Sequence, residues 1–176
     1  MRLIFDAAWA DHLTDFSLKM LQLLKNLKIE TMDISFGLLS GWKDVLANVF
    51  DSKEKIANLQ NCKKISIKYS YEKPQDALKA IYLQGFIASK MKWELKAEEM
   101  QHETRKALCY SYKDHDINVI LERDNKGLQK GAITELEIVA RNGDIYAFNA
   151  SKNPLKVILH ISSENTCEMP CTFSLP

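Results

Sequence analysis

A change of hydrophobic period near Trp93 constrains this fold more than any other feature of the chain. Before it, three segments carry apolar residues at helical spacing: Phe16, Met20, Leu23, Leu24 and Leu27; then Trp42, Val45, Leu46, Val49 and Phe50; then Ala77, Leu78, Ile81, Tyr82, Phe86 and Ile87. After it come short strand-like runs at 107–112, 117–123, 133–140, 145–149 and 155–161, with a weaker polar run over 94–103. One strand precedes the change: in 64–71, Ile65, Ile67, Tyr69 and Tyr71 take one face, and Lys64, Ser66, Lys68 and Ser70 the other. The pattern predicts an α+β fold, a mixed sheet with helices mainly in the N-terminal half and an antiparallel meander in the C-terminal half. Residues 1–163 read as one domain and 164–176 as a polar, proline-containing tail that docks through Phe173 and Leu175 or stays mobile.

Local signals refine this reading. Leu3–Phe5 is expected as a short buried strand, and Ser40 as the N-cap of a helix whose wet side holds Lys43, Asp44, Asn48 and Asp51. A short helical turn over 53–59 presents Ile56 and Leu59, and Pro74 suits the first turn of the next helix. Gly85 in the middle of that helix predicts close approach of another backbone, helped by Ser89. Asp124–Gly127 breaks the chain, and Asn142-Gly143 predicts a type I′ hairpin turn.

Composition excludes several classes of function. With 24 basic against 23 acidic residues, the chain has no overall field to attract nucleic acid or an anionic membrane. Its 176 residues, 46% of them hydrophobic, suit one compact domain that needs no disulfides. The longest apolar runs are too short to cross a bilayer and the start lacks a secretory pattern, so a cytoplasmic protein is expected.

Catalytic signals are sparse. His12, His102, His115 and His160 are scattered, and Asp114-His115-Asp116 reads as a solvated hairpin tip rather than an acid–base pair. Cys167 and Cys171 lack the second ligand pair that a zinc site requires. Gly127 and Gly131 have the wrong flanks for a dinucleotide loop. Asp6 reads as a cap, with contact to a ligand at a sheet edge as the rival role, and Lys64 and Lys68 read as a solvated strand face.

Two patterned segments carry a resemblance. The stretch from Met32 to Leu46, with Asp33, Ile34, Leu39, Ser40, Trp42 and Lys43, is similar to an Asp-Leu-x-Trp-x-Arg-Leu-Thr-Pro-Trp-Arg pattern. Tyr82 to Trp93 is similar to Leu-Leu-x-Gly-Trp-Leu-Ala-x-Arg-Leu-Gly-Trp. Both patterns belong to the glucose-6-phosphate dehydrogenase assembly protein family (OpcA-type), and Arg2–Asp6 resembles that family's short strand ending in Asp. Phe36 and Phe86 replace tryptophans, Gly41 replaces a proline, and Leu38 replaces an arginine, which removes a charge. Fuller members carry an N-terminal domain ahead of this region, so the chain reads as their C-terminal domain.

The resemblance implies a non-catalytic partner of glucose-6-phosphate dehydrogenase that favours its active oligomer, with no cofactor of its own. Trp42, Lys43 and Trp93 are the expected partner-binding residues; tryptophans at helical spacing more often belong to the core, and these two are the ones expected to be partly exposed, since each stands at a helix end. The alternative is a small sugar-phosphate-binding domain or lactone hydrolase of the same pathway, using Asp6, Asp33 and a histidine in a cleft.

Overall fold

A computed structural model describes residues 2–27, 30–102, 104–125, 129–153, 155–163 and 166–175. It opens with a strand–helix–strand unit. β1 (Arg2–Phe5) pairs in parallel with β2 (Glu30–Asp33), and α1 (Leu13–Asn26) makes the crossover. Parallel strands need such a connection because a tight turn can join only antiparallel neighbours. Asp6 caps the 3₁₀ turn Ala7–Trp9 by accepting from the Ala8 amide, as the sequence suggests.

The remaining chain forms a layer of helices on an eight-stranded sheet, in the order β10-β9-β8-β7-β3-β6-β5-β4. After the short α2 (Ile34–Gly37), α3 (Ser40–Val49) and α4 (Lys53–Gln60) lead into β3 (Lys64–Ser70). A 3₁₀ turn at Pro74–Ala77 and α5 (Leu78–Met91) then carry the chain to the edge strand β4 (Glu94–His102). β5 (Arg105–Tyr112) and β6 (His115–Asp124) return beside β3, giving the parallel pair β3/β6. On the other side β7 (Ile133–Val139), β8 (Ile145–Ala150), β9 (Lys156–Ser162) and β10 (Cys171–Ser174) form an antiparallel meander. The architecture is α+β with a mixed sheet, as the change of period predicts.

One apolar cluster joins the layers. Val45, Leu46, Leu83 and Ile87 from the helices meet Ile65, Ile67, Val119, Leu136 and Phe148 from the strands. Polar bonds fix the ends: Tyr110 donates to Gln84 Oε1 on α5 (2.7 Å), and Trp93 Nε1 donates to the Gln60 carbonyl (3.0 Å). Across the opposite sheet face Lys68 and Lys64 pair with Glu135 (2.9 Å) and Glu137 (3.3 Å), so these lysines are paired rather than simply solvated. In the tail, Phe173 and Leu175 pack against the core.

Several local expectations need correction. Ser40 is the first residue of α3, not its cap: Leu38 and Leu39 already have near-helical backbone angles, and the Lys43 amide bonds the Leu39 carbonyl. Leu3–Phe5 is a strand but not a buried one, since Ile4 is exposed. α1 forms where its period predicts, yet buries none of its residues. On the second face of β3 the small Ser66 and Ser70 are buried while Lys64 and Lys68 stay half-buried, because in a central strand the side chains of both neighbouring strands crowd around the short serines. At the β7–β8 turn only Gly143 has positive φ (97°), and its amide bonds the Ala140 carbonyl. A type I′ turn needs positive φ at both central residues; this is a tight turn followed by a glycine in the left-handed region. Lys126 and Gly127 lie outside the described residues.

Candidate functional site

The two patterned segments, distant in sequence, converge between β2, α2, α3 and α5. Asp33 ends β2 and caps α2, accepting from the Ser35 amide (2.8 Å). Its other oxygen accepts from the Tyr82 hydroxyl on α5 (2.6 Å). Ser35 Oγ donates to Asp6 Oδ1 (3.2 Å), so the acids ending both parallel strands are tied together. Burial, with the bond to Asp33 and its charge, raises the Tyr82 pKa far above its usual range. The hydroxyl therefore stays protonated and acts as a donor.

These acids serve as connectors. Asp33 is buried with both oxygens occupied, and its contact on α5 is a tyrosine, not the histidine a hydrolytic site would use. His12, His115 and His160 are exposed, and nothing is described for the His102 side chain. Among the described residues no three His, Cys, Asp or Glu side chains group as a metal site. Cys167 and Cys171 are exposed free thiols. Gly131 has φ of 69° beside Asp76, in the turn that precedes β7.

Outside the acid cluster lies a shallow groove. Phe36 meets Tyr82 edge to face, with ring centroids 6.0 Å apart, and Lys43 Nζ stands 4.3 Å from the Phe36 ring centroid. A cavity of about 720 Å³ runs along Phe36, Lys43, Tyr82, Gly85, Phe86 and Lys90. It meets a second, of about 260 Å³, lined almost wholly by apolar side chains including Leu46, Phe50, Ile56 and Met91; Lys43, Phe86 and Lys90 border both.

The expected partner-binding residues separate here. Lys43 is half-buried on the groove. Trp42 and Trp93 are only 6% and 8% exposed, contrary to the exposure expected at helix ends. Trp42 lies on the buried stripe of α3, and the Trp93 ring packs on Tyr110, with centroids 6.0 Å apart. Gly85 also departs from expectation: a Cβ added there would meet nothing within 4 Å, so no backbone among the described residues approaches it. The groove also takes in Phe36, Phe86 and Lys90, all three from the two patterned segments.

A separate cavity, of about 250 Å³, lies at the ends of β3 and β6, lined by Tyr69, Tyr71, Lys106 and Arg123 among others. The Arg123 guanidinium sits 3.6 Å from the Tyr71 ring centroid. Lys106 pairs with Glu98.

No described helix is long and apolar enough to cross a membrane. No curated protein matches this sequence. Among solved structures, a dehydrogenase (MviM) from Clostridium difficile is 15% identical with a TM-score of 0.47, covering 100% of this chain and 55% of its own. The transcriptional regulator Gal80p from Kluyveromyces lactis is 8% identical with a TM-score of 0.45, covering 99% and 53%. The chain thus spans about half the length of each. A family model described as the C-terminal domain of the glucose-6-phosphate dehydrogenase subunit matches residues 29–161, which include both patterned segments and most of the sheet. The chain belongs to this family of C-terminal domains of the glucose-6-phosphate dehydrogenase subunit.

Proposed function

We propose that the chain is a non-catalytic assembly and activating subunit, which binds glucose-6-phosphate dehydrogenase in the cytoplasm and favours its active oligomer in the oxidative pentose phosphate pathway. One observation carries the reading: the family's two segments converge on a groove lined by Phe36, Lys43, Tyr82 and Phe86, while the acids beneath it are committed to caps and cross-links. Such a surface, apolar with two lysines at its border, can recognise another polypeptide, and no histidine or carboxylate lines it among the described residues. Lys43 belongs to that surface, whereas Trp42 and Trp93 belong to the buried core.

The mechanism is mass action. A subunit that binds the assembled enzyme more tightly than the dissociated one shifts the population by its differential affinity. Ligands that favour the same assembly strengthen its binding in return. The test is size-exclusion chromatography and specific activity of the cognate dehydrogenase with and without this chain. A larger complex with raised activity is expected; unchanged size and activity at saturating chain would end the proposal.

The cavity at Tyr69, Tyr71 and Arg123 favours a second reading, a domain that binds sugar phosphate, because a guanidinium suits phosphate and the tyrosines suit a ring. Calorimetry of the chain alone with glucose 6-phosphate separates the two. The hydrolase form of this reading loses support, since Asp6 and Asp33 are already engaged.

A further inference from the structure

We infer that the groove between α3, α4 and α5 seats an amphipathic helix of the partner, with apolar residues facing inward and Asp or Glu at its borders. This rests on the protein-partner reading above and names the surface and the chemistry of what it accepts. Charge restricts what the groove can accept. Among the described residues, Lys43 and Lys90 are the only charged side chains lining either cavity of the groove. Lys43 lies over the Phe36 ring and Lys90 at 5.9 Å from the Phe86 ring centroid, and neither forms an ion pair with a described residue. Two ammonium groups beside an apolar trough select a segment that brings carboxylates with its hydrophobic face.

Gly85 points the same way. Glycine inside a helix is unfavourable relative to alanine, and packing within this chain gives no reason for it, because its Cβ position is open. Ile81, Gly85 and Ser89 recur every fourth residue along α5 and all line the larger cavity. A missing side chain at the centre of that ridge lets a second helix lie close across it. The close approach that the sequence implies is thus made by another molecule.

The test uses three variants of the chain: Gly85→Ala, Gly85→Leu and the double reversal Lys43→Glu with Lys90→Glu. Melting temperature and affinity for the cognate dehydrogenase are measured for each, at low and at moderate salt. Gly85→Ala is expected to raise the melting temperature by about 1–4 °C, because helix propensity improves where nothing clashes. Gly85→Leu is expected to stay folded and to bind at least tenfold more weakly. The double reversal is expected to lose at least tenfold and to flatten the salt dependence of binding. If the unaltered chain binds while Gly85→Leu and the double reversal, both folded, bind equally well, the groove is overturned and the partner reading survives. If the unaltered chain does not bind, both fall. Should the variants unfold, Gly85 and the lysines are core elements and the groove is again overturned.

Discussion

The first 38 residues and the body that follows have similar hydrophobic patterning but opposite fates. Among the described residues, ten of the fourteen exposed large hydrophobics lie between Ile4 and Leu38, among them Trp9 at 85% and Leu21 at 55%. In the body, Leu83, Ile65, Leu136 and Phe148 are fully buried in a single cluster. The contrast teaches that an apolar stripe becomes core only where another layer covers it. α3 and α5 lie on an eight-stranded sheet, whereas α1 accompanies a two-stranded parallel pair, an arrangement that usually occurs inside larger sheets covered on both faces.

Four experiments would break or sharpen this contrast. The largest effect is expected from Trp42→Ala in the body, a loss of about 3–5 kcal/mol in denaturant unfolding, since a large buried ring leaves a cavity. A loss under about 1 kcal/mol, with binding abolished, would move Trp42 from core to interface. Next is Tyr82→Phe, which removes a hydrogen bond to a buried carboxylate joining the two regions and should cost roughly 1.5–3 kcal/mol. If α1 and β2 amides then exchange with deuterium sooner while β3 and β6 amides hold, this bond is what ties the unit to the body.

The third concerns Cys62, which is fully buried at the foot of β3. Burial pushes its thiol up to about 12, with the Arg141 charge and a backbone hydrogen bond acting the other way. In the unfolded chain the thiol ionises near its ordinary value of 9.0. The native state therefore holds more protons between about pH 9 and pH 12, and stability falls as pH rises through that window, by up to about 1.4 kcal/mol per unit. Cys62→Ala should flatten the slope of unfolding free energy against pH; an unchanged slope would assign it to other groups. The smallest effect is expected from Leu21→Ala on α1, within about 0.5 kcal/mol. A loss of several kcal/mol would mean that α1 is covered in solution and would abolish the contrast.

Much of the body was legible because its signals are local. The stripe from Trp42 to Phe50 is buried as its spacing predicts, and the strands after Trp93 appear in the expected places. The candidate site was less so. The place of Lys43 in a pattern marks it, but Phe86 and Lys90 join it only because α5 lies beside α3. Trp42 and Trp93 looked exposed as helix-end residues, yet one points along the buried stripe and the other under Tyr110. Ser40 failed as a cap because the preceding leucines extend the turn, a backbone outcome that the side-chain preference of one residue does not control.

By itself the sequence determined the period of each segment, and so which residues share a face and where most strands run. It also contained the two patterns that mark the family. Only the tertiary structure decided that β3 sits between β6 and β7, that Asp33 meets Tyr82 across 49 positions, and that Gly85 opens onto a groove. The physical reason is range. Periodicity arises from neighbours a few residues apart, whereas strand order, burial and convergence depend on which distant surfaces exclude water together.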